Sequence, residues 1–341
     1  MIEREDIFID DDDKIEIFVI GYKTRGESVV ISIGNKFTGV IDCYRNQNQF
    51  LTKEILSNIG GNIDFLCWTH SDWDHSYGLS ALNEFFDEHT HFIVPSGFQA
   101  KEFRAFLESD ENRNYQYEEY SKILNILDQV DYGRYHTADQ DSYFYSFSLK
   151  KRGSGNENDK YDVKIYAFSP ISKKIKEHNC NHIKSIYDMD EQWYVNMNTD
   201  NNLFSVGLMI EVNNKTKVYK ICLTGDLNNE TILTMDQKTR EKLFLKNTFL
   251  KIPHHGSENS NEILNFDGKK KMRFHYSACT SFKSRGGMLP SDEMVEKYKQ
   301  CGVVHKTNVT DACGYGVIKY EIPISGGNKI EVSLKGDAAQ C

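Results

Sequence analysis

Thr69-His70-Ser71-Asp72-Trp73-Asp74-His75 directly follows Ile63-Asp64-Phe65-Leu66-Cys67-Trp68, an apolar run with Gly60-Gly61 before it. The apolar run reads as a buried strand. Four potential metal ligands therefore fall within six residues at a strand end. Imidazole and carboxylate together suit divalent metals that activate water. His70, Asp72 and Asp74 converge if the segment is a loop, and His75 then opens a helix. A polar turn with an aspartate cap needs one Asp, so the clustering favours a metal site.

Two further strand ends carry the same residue types. Leu223-Thr224-Gly225-Asp226 ends an apolar strand; taken alone, a turn or cap is the commoner role for such an Asp. Lys251-Ile252-Pro253-His254-His255-Gly256-Ser257 also follows a strand, and its Pro and Gly hold the His pair in a constrained loop. A helix cap is the simpler role for Ser257. Ligand types at three separate strand ends are what a sandwich needs to build one site along an edge.

Outward from these motifs the pattern is mixed. Residues 15–20, 28–33 and 38–42 predict an antiparallel meander, with turns at Gly26 and Gly34-Asn35. Residues 79–86 read as helix and 91–94 as a short strand. Residues 99–130 have apolar positions at helical spacing, including Phe103, Phe106, Leu107, Ile123, Leu124 and Leu127. Strands are expected over 163–168, 203–212, 217–223, 249–252, 274–278, 317–322 and 329–334, and helices over 231–245 and 292–301. Two packed sheets with helices outside satisfy this order. With no proline-rich linker, one domain over 15–337 is expected, with a mostly helical insertion at about 97–160. The acidic Asp10–Asp13 predicts a solvated arm over 1–14.

Composition narrows the function. The 341 residues are 39% hydrophobic and 27% charged, which suits a packed core rather than disorder. A net charge of −9 argues against a broad nucleic-acid surface but leaves room for a local basic groove. The eight cysteines lie singly, without a CxxC pair, and read as reduced thiols. No apolar run approaches the ~18–20 residues of a membrane span, and the acidic N-terminus is unlike a signal peptide. A cytoplasmic protein without membrane contact is expected. Lys283 and Arg285, Lys251, and the run Lys269-Lys270-Lys271 with Arg273 are either ordinary surface charge or phosphate clamps. Trp73 either stacks on a base or packs.

The order and wording of these motifs resemble the metallo-β-lactamase-fold hydrolases, and most of all the hydrolase domain of the competence protein ComEC. Ile20-Gly21 through Gly26-Glu27-Ser28 resembles the VGQGDS opening of that branch, with residues inserted. Val40-Ile41-Asp42 resembles its LIDtG strand, and residues 68–79 (WTHSDWDHSYGL) resemble THxDxDHxGGL. Asn202-Leu203-Phe204-Ser205-Val206, then LTGD, then the nearly identical KIPHHGS extend the likeness, and Pro290-Ser291, Lys306-Thr307-Asn308 and Gly314-Tyr315-Gly316 resemble its C-terminal end.

The resemblance implies an αββα sandwich with two metal ions at one edge. His70 and Asp72 would hold one ion, Asp74 and His75 the other, and Asp226 would bridge them. One of His254 and His255 would complete the second position. Asp42, Thr69 and Ser257 would support the ligand loops from behind. The general family pattern has His where this chain has Asp72, and a further His between the later motifs. His89, His91, His136, His178 and His182 are candidates for that role, none in a recognisable context. The carboxylate-rich set shifts the expected metal from zinc (Zn2+) towards manganese or magnesium (Mn2+ or Mg2+).

The implied activity is metal-assisted hydrolysis, with Asp74 and Asp226 central and water activated by a pair of cations. Three carboxylates offset three of the four charges on two divalent ions, and the surplus suits an anionic phosphodiester. A nuclease or nucleotide phosphodiesterase, in the role of a bacterial defence effector, is the expected function. Lys283, Arg285 and Trp73 would contact substrate. The alternatives are a hydrolase of another small ester or lactone, and a non-enzymatic binding subunit that meets a protein partner through the 97–160 insertion.

Overall fold

The computed structural model describes residues 1–2, 4–96, 115–154, 156, 159–176, 201–266, 268, 270–310, 312–325 and 329–341. The meander predicted from residues 15–42 is present as β2 (Lys14–Tyr22), β3 (Glu27–Ile33) and β4 (Phe37–Ile41), preceded by β1 (Ile7–Ile9). After them come β5 (Phe65–Cys67), β6 (His91–Pro95), β7 (Tyr135–Ala138), β8 (Tyr143–Lys151), β9 (Lys160–Ser169), β10 (Gly207–Asn213) and β11 (Val218–Leu223). The remaining strands are β12 (Lys246–Lys251), β13 (Arg273–Cys279), β14 (Phe282–Ser284), β15 (Gly287–Leu289), β16 (Val303–Lys306), β17 (Tyr315–Pro323), β18 (Glu331–Gly336) and β19 (Ala339–Gln340). One sheet has eight strands in the order β18-β17-β2-β3-β4-β5-β6-β7, the other nine in the order β1-β8-β9-β10-β11-β12-β13-β16-β19. A hairpin, β14-β15, stands apart.

Strand alternation builds three apolar layers. Successive side chains on a strand point to opposite faces. In β2, Ile15, Ile17 and Val19 join Ile31 of β3 and Leu208, Ile210 and Phe249 of the other sheet in the central core. Phe18, Ile20 and Tyr22 of the same strand face outward, onto Leu51 and Leu56 of the helix Leu51–Ile59 and onto Ile123 and Leu124 of the helix Tyr115–Gln129. The outer face of the nine-stranded sheet is covered likewise by Ile232, Leu243, Phe244, Met294 and Tyr298. Strands buried on both faces read as near-continuous apolar runs. The result is the expected αββα sandwich of two mixed sheets between helical layers.

Several elements differ from the sequence expectation. The arm over 1–14 is not a solvated tail. β1 pairs in parallel with β8 at the edge of the nine-stranded sheet, and Ile2, Ile7 and Ile9 are buried in the central core. Its alternating apolar residues outweigh the acidic run after it. The 97–160 segment is only partly helical: the helix Tyr115–Gln129 packs on the eight-stranded sheet, while β7 and β8 complete an edge of one sheet and the flank of the other. Phe103, Phe106 and Leu107 lie outside the described residues. The helix expected over 231–245 is two helices, Asn229–Thr234 and Gln237–Phe244, because Asp236 breaks the run and caps the second by accepting from the Thr239 N–H. Residues 79–85 wind as a 3-10 helix, as do 201–204 ahead of β10.

In each sheet a set of strands runs in parallel: β4, β5, β6 and β7 in one, β11, β12, β13 and β16 in the other. Residues just past the carboxyl ends of parallel strands line the crevice where α/β sheets bind ligands. Asp42 follows β4, Thr69–His75 follow β5, Asp226 follows β11, His254 and His255 follow β12, and Thr280 follows β13. A Val206 N–H donated to the Thr69 carbonyl at 3.0 Å joins the two sheets at this edge.

Candidate metal centre

The β5 loop turns back at Asp72 into the short helix Trp73–Ser76, which buries Asp74 and His75. Asp226 is brought in by Gly225, whose φ of +50° lies in the left-handed region. A Cβ at Gly225 would stand 2.5 Å from Ser205 Oγ, the atom that accepts the Asp226 N–H at 2.9 Å. Only glycine fits there. His254 and His255 both have left-handed backbones, with φ of 48° and 53°, as does Asp42 with φ of 56°. Each costs about 1–2 kcal/mol, and such outliers concentrate at functional sites.

The imidazoles and carboxylates converge. His75 Nε2 lies 3.4 Å from Asp226 Oδ1 and 3.7 Å from Asp74 Oδ2. His255 Nε2 lies 3.1 Å from Asp74 Oδ2 and 3.7 Å from Asp226 Oδ2. His70 Nε2 lies 3.6 Å from Asp72 Oδ2 and 4.0 Å from Asp226 Oδ2. Ligand atoms ~2.0–2.2 Å from a shared ion stand roughly 3.0–3.5 Å apart, so the spacing suits metal coordination. His70 Nε2, His75 Nε2 and Asp226 Oδ1 are buried without a hydrogen-bond partner. Buried polar atoms are normally satisfied, and a cation would satisfy all three. Glu27, His75, Asp226 and His255 form one group able to hold an ion, and Asp42, His70 and His75 another.

The ring nitrogens are oriented from behind. Asp42 accepts from the Thr69 N–H at 2.7 Å and from Thr69 Oγ1–H at 2.6 Å. With its only hydroxyl proton given to Asp42, Thr69 Oγ1 must accept from His70 Nδ1–H, 2.8 Å away. His75 Nδ1–H donates to Asp42 Oδ2, the oxygen that also takes the Thr69 hydroxyl proton, at 2.7 Å. Both rings therefore turn Nε2 toward Asp226, the arrangement that second-layer carboxylates impose on metal-binding histidines.

Electrostatics agree with this pairing. Burial opposes the charged form of Asp226, yet His75 and His255 outweigh it and hold the carboxyl well below the usual range. Asp74 is lowered against burial by the same two rings. Burial also opposes ionisation of Asp72, but His70 and the Asn201 amide bring it down to about 2. His75 is raised well above the ordinary imidazole value, because Asp226, Asp42 and Asp74 overcome burial. His70 is raised too, with Asp72 and Asp226 prevailing over burial and the His75 charge. These imidazoles hold protons to higher pH than a free one, and metal must displace them. Affinity for a divalent ion should therefore fall as pH falls, by about tenfold per pH unit for each proton released. Calorimetric titrations between about pH 6 and 8 check this; a constant Kd would contradict it.

The other expected residues sort as follows. His254 is half-buried beside the cluster, its Nδ1 lacking a partner, while His255 is the ring within reach of Asp74 and Asp226. Ser257 accepts from the Asn259 N–H at 3.2 Å and so caps the following turn. Trp73 stacks on Tyr77 at 4.5 Å and meets Tyr120 edge-on at 5.8 Å. Lys283 and Arg285 are exposed on the β14-β15 hairpin, whose Phe282 stacks on His255 at 4.9 Å. Lys251 is no rim residue: it is 1% exposed and ion-paired with Glu27 at 2.6 Å. Lys271 and Arg273 lie at the start of β13, the end opposite the cluster, and Lys270 pairs with Glu241. His91 opens β6 away from the cluster and bonds His136 at 2.9 Å. His89 is exposed. His178, His182 and Lys269 lie outside the described residues. Glu27, Ser205, Asn201 and Thr280 went unassigned in the sequence, although Glu27 sits within the Gly26-Glu27-Ser28 stretch already singled out.

No family model matches the sequence, and no curated protein matches it. Among solved structures the chain is similar to a B3 metallo-β-lactamase with an active-site glutamic acid, at 12% identity over 87% of each chain with a TM-score of 0.34. Among the described residues, no helix is long and apolar enough to cross a membrane.

Proposed function

We propose that this chain is a metal-dependent phosphodiesterase acting on DNA or a nucleotide. The observation that carries the metal dependence is the convergence of His70, His75 and His255 on Asp226, with three buried polar atoms that make no hydrogen bond. His70 and Asp72 would hold one divalent ion, Asp74, His75 and His255 the other, and Asp226 both. When bound, such ions supply Lewis acidity that lowers the pKa of water and stabilises developing negative charge. Asp42 and Thr69 fix the rings so that ligand geometry survives turnover. The burial of Asp74 and Asp226 strengthens their pull on a cation.

Three observations favour an anionic phosphodiester. Three carboxylates leave a surplus of positive charge on two divalent ions. Lys283 and Arg285 are exposed on the hairpin next to His255, where they can reach phosphate oxygens. The motif order resembles the ComEC branch, which is associated with degrading a DNA strand. Asp72 in place of histidine speaks against the lactone and β-lactam branches, and favours manganese over zinc.

The direct test is hydrolysis of end-labelled single-stranded DNA with Mn2+, comparing wild type with Asp74→Ala. Cleavage by the wild type alone is expected. Equal cleavage by both proteins would remove the reaction from this cluster. No cleavage by either would sink DNA hydrolysis and turn the assay to cyclic and linear nucleotides.

A further inference from the structure

Glu27 and Thr280 stand behind His255 and decide which nitrogen it offers. Thr280 Oγ1–H donates to Glu27 Oε2 at 2.6 Å, and an ion-paired carboxylate only accepts. The hydroxyl's single proton is thereby spent. The 2.8 Å contact between Thr280 Oγ1 and His255 Nδ1 must then run from Nδ1–H to oxygen. Nε2 is left as the acceptor end, facing Asp74 and Asp226. Lys251 Nζ, 2.6 Å from the same Glu27 oxygen, balances the carboxylate's charge. Glu27 Oε2 is thus held by both Lys251 and Thr280, and through Thr280 it reaches His255 from behind.

We infer that Glu27 and Thr280 are positioning residues that aim His255 Nε2 at the second ion; this rests on the two-ion reading above. The arrangement repeats Asp42–Thr69–His70, in which a carboxylate takes the threonine proton and the threonine takes the histidine Nδ1–H. Here the parts come from different layers. Glu27 begins β3 of the eight-stranded sheet, whereas Lys251 ends β12 and Thr280 follows β13 of the nine-stranded one. The aim of His255 is thus tied to the docking of the two sheets. Phe282, stacked on the ring with planes 19° apart, blocks its rotation.

The test is Co2+ titration of the full chain, followed by visible absorption and calorimetry, in wild type, Thr280→Val and Thr280→Ser. Wild type should take two ions. Thr280→Val keeps the shape but removes the acceptor for Nδ1–H. It should weaken one of the two ions about 10–100-fold, the scale for removing an outer partner of a metal ligand, and alter that ion's absorption band. Thr280→Ser should restore both. If Thr280→Val does not fold, the double variant Glu27→Leu, Lys251→Met takes its place; it removes the acceptor of the Thr280 hydroxyl, frees that proton to point at Nδ1 and predicts the same selective loss. Two ions bound with wild-type affinity by Thr280→Val would overturn the proposal while leaving the metal site standing, as would Thr280→Ser weakening binding as much as Val. A wild type that takes up no Co2+ would overturn the two-ion reading and this inference together.

Discussion

Replacing Asp226 with asparagine is expected to lower Mn2+-dependent turnover by about 10²–10³-fold and to impair both ions, whereas Asp74→Ala should impair one. The magnitude is that of removing one preorganised charge-stabilising group from a water-excluded site. Asp226 faces the Nε2 atoms of His75, His255 and His70 at 3.4, 3.7 and 4.0 Å, within reach of all three rings. Asparagine keeps the shape and leaves the backbone N–H to Ser205 Oγ intact, so the fold should survive. Metal stoichiometry by calorimetry, measured beside turnover, separates the outcomes. An Asn variant with two tightly bound ions and normal turnover would contradict the bridging role.

The second large effect is on stability. Lys251→Ala should cost about 3–5 kcal/mol, because it strands the Glu27 carboxylate in a buried position. Lys251 and Glu27 are 1% and 2% exposed and lie 2.6 Å apart. Denaturant unfolding of the single variants and of Lys251→Met with Glu27→Gln measures the coupling, and the double variant should recover most of the loss. A phosphate-clamping lysine would behave differently, leaving the unfolding midpoint unchanged and raising KM.

That contrast marks where the sequence was informative. Ligand types after apolar strands were legible because metal chemistry needs particular side chains, and because strand ends bring them together. Strand polarity alone placed Asp72, Asp74 and His75 at one strand end, whereas Asp226 stood out only beside the other motifs and by the resemblance. The choice between His254 and His255 did need it, since two adjacent left-handed residues throw their rings in different directions. Lys251 reads as a basic residue beside a histidine pair, but its environment depends on Glu27, more than two hundred residues earlier. The edge strand Ile7–Ile9 was masked by the acidic run after it. A three-residue strand gives too short an alternation to outweigh charge in a sequence reading.

The position of β2 has a bearing on how the chain is made. β2 lies between β3 and β17, and its last residue, Tyr22, pairs with Tyr315. At about 5–20 residues per second, the ribosome delivers that partner some 15–60 s after Tyr22 itself. Until then one edge of β2, with its Ile15, Ile17 and Val19, lies open to pairing with other nascent chains. The residues proposed to hold metal are staggered in the same way, from His70 to His255. On that assignment metal uptake would be a late event in synthesis, and a truncated product would carry an open hydrophobic edge and half of the proposed site.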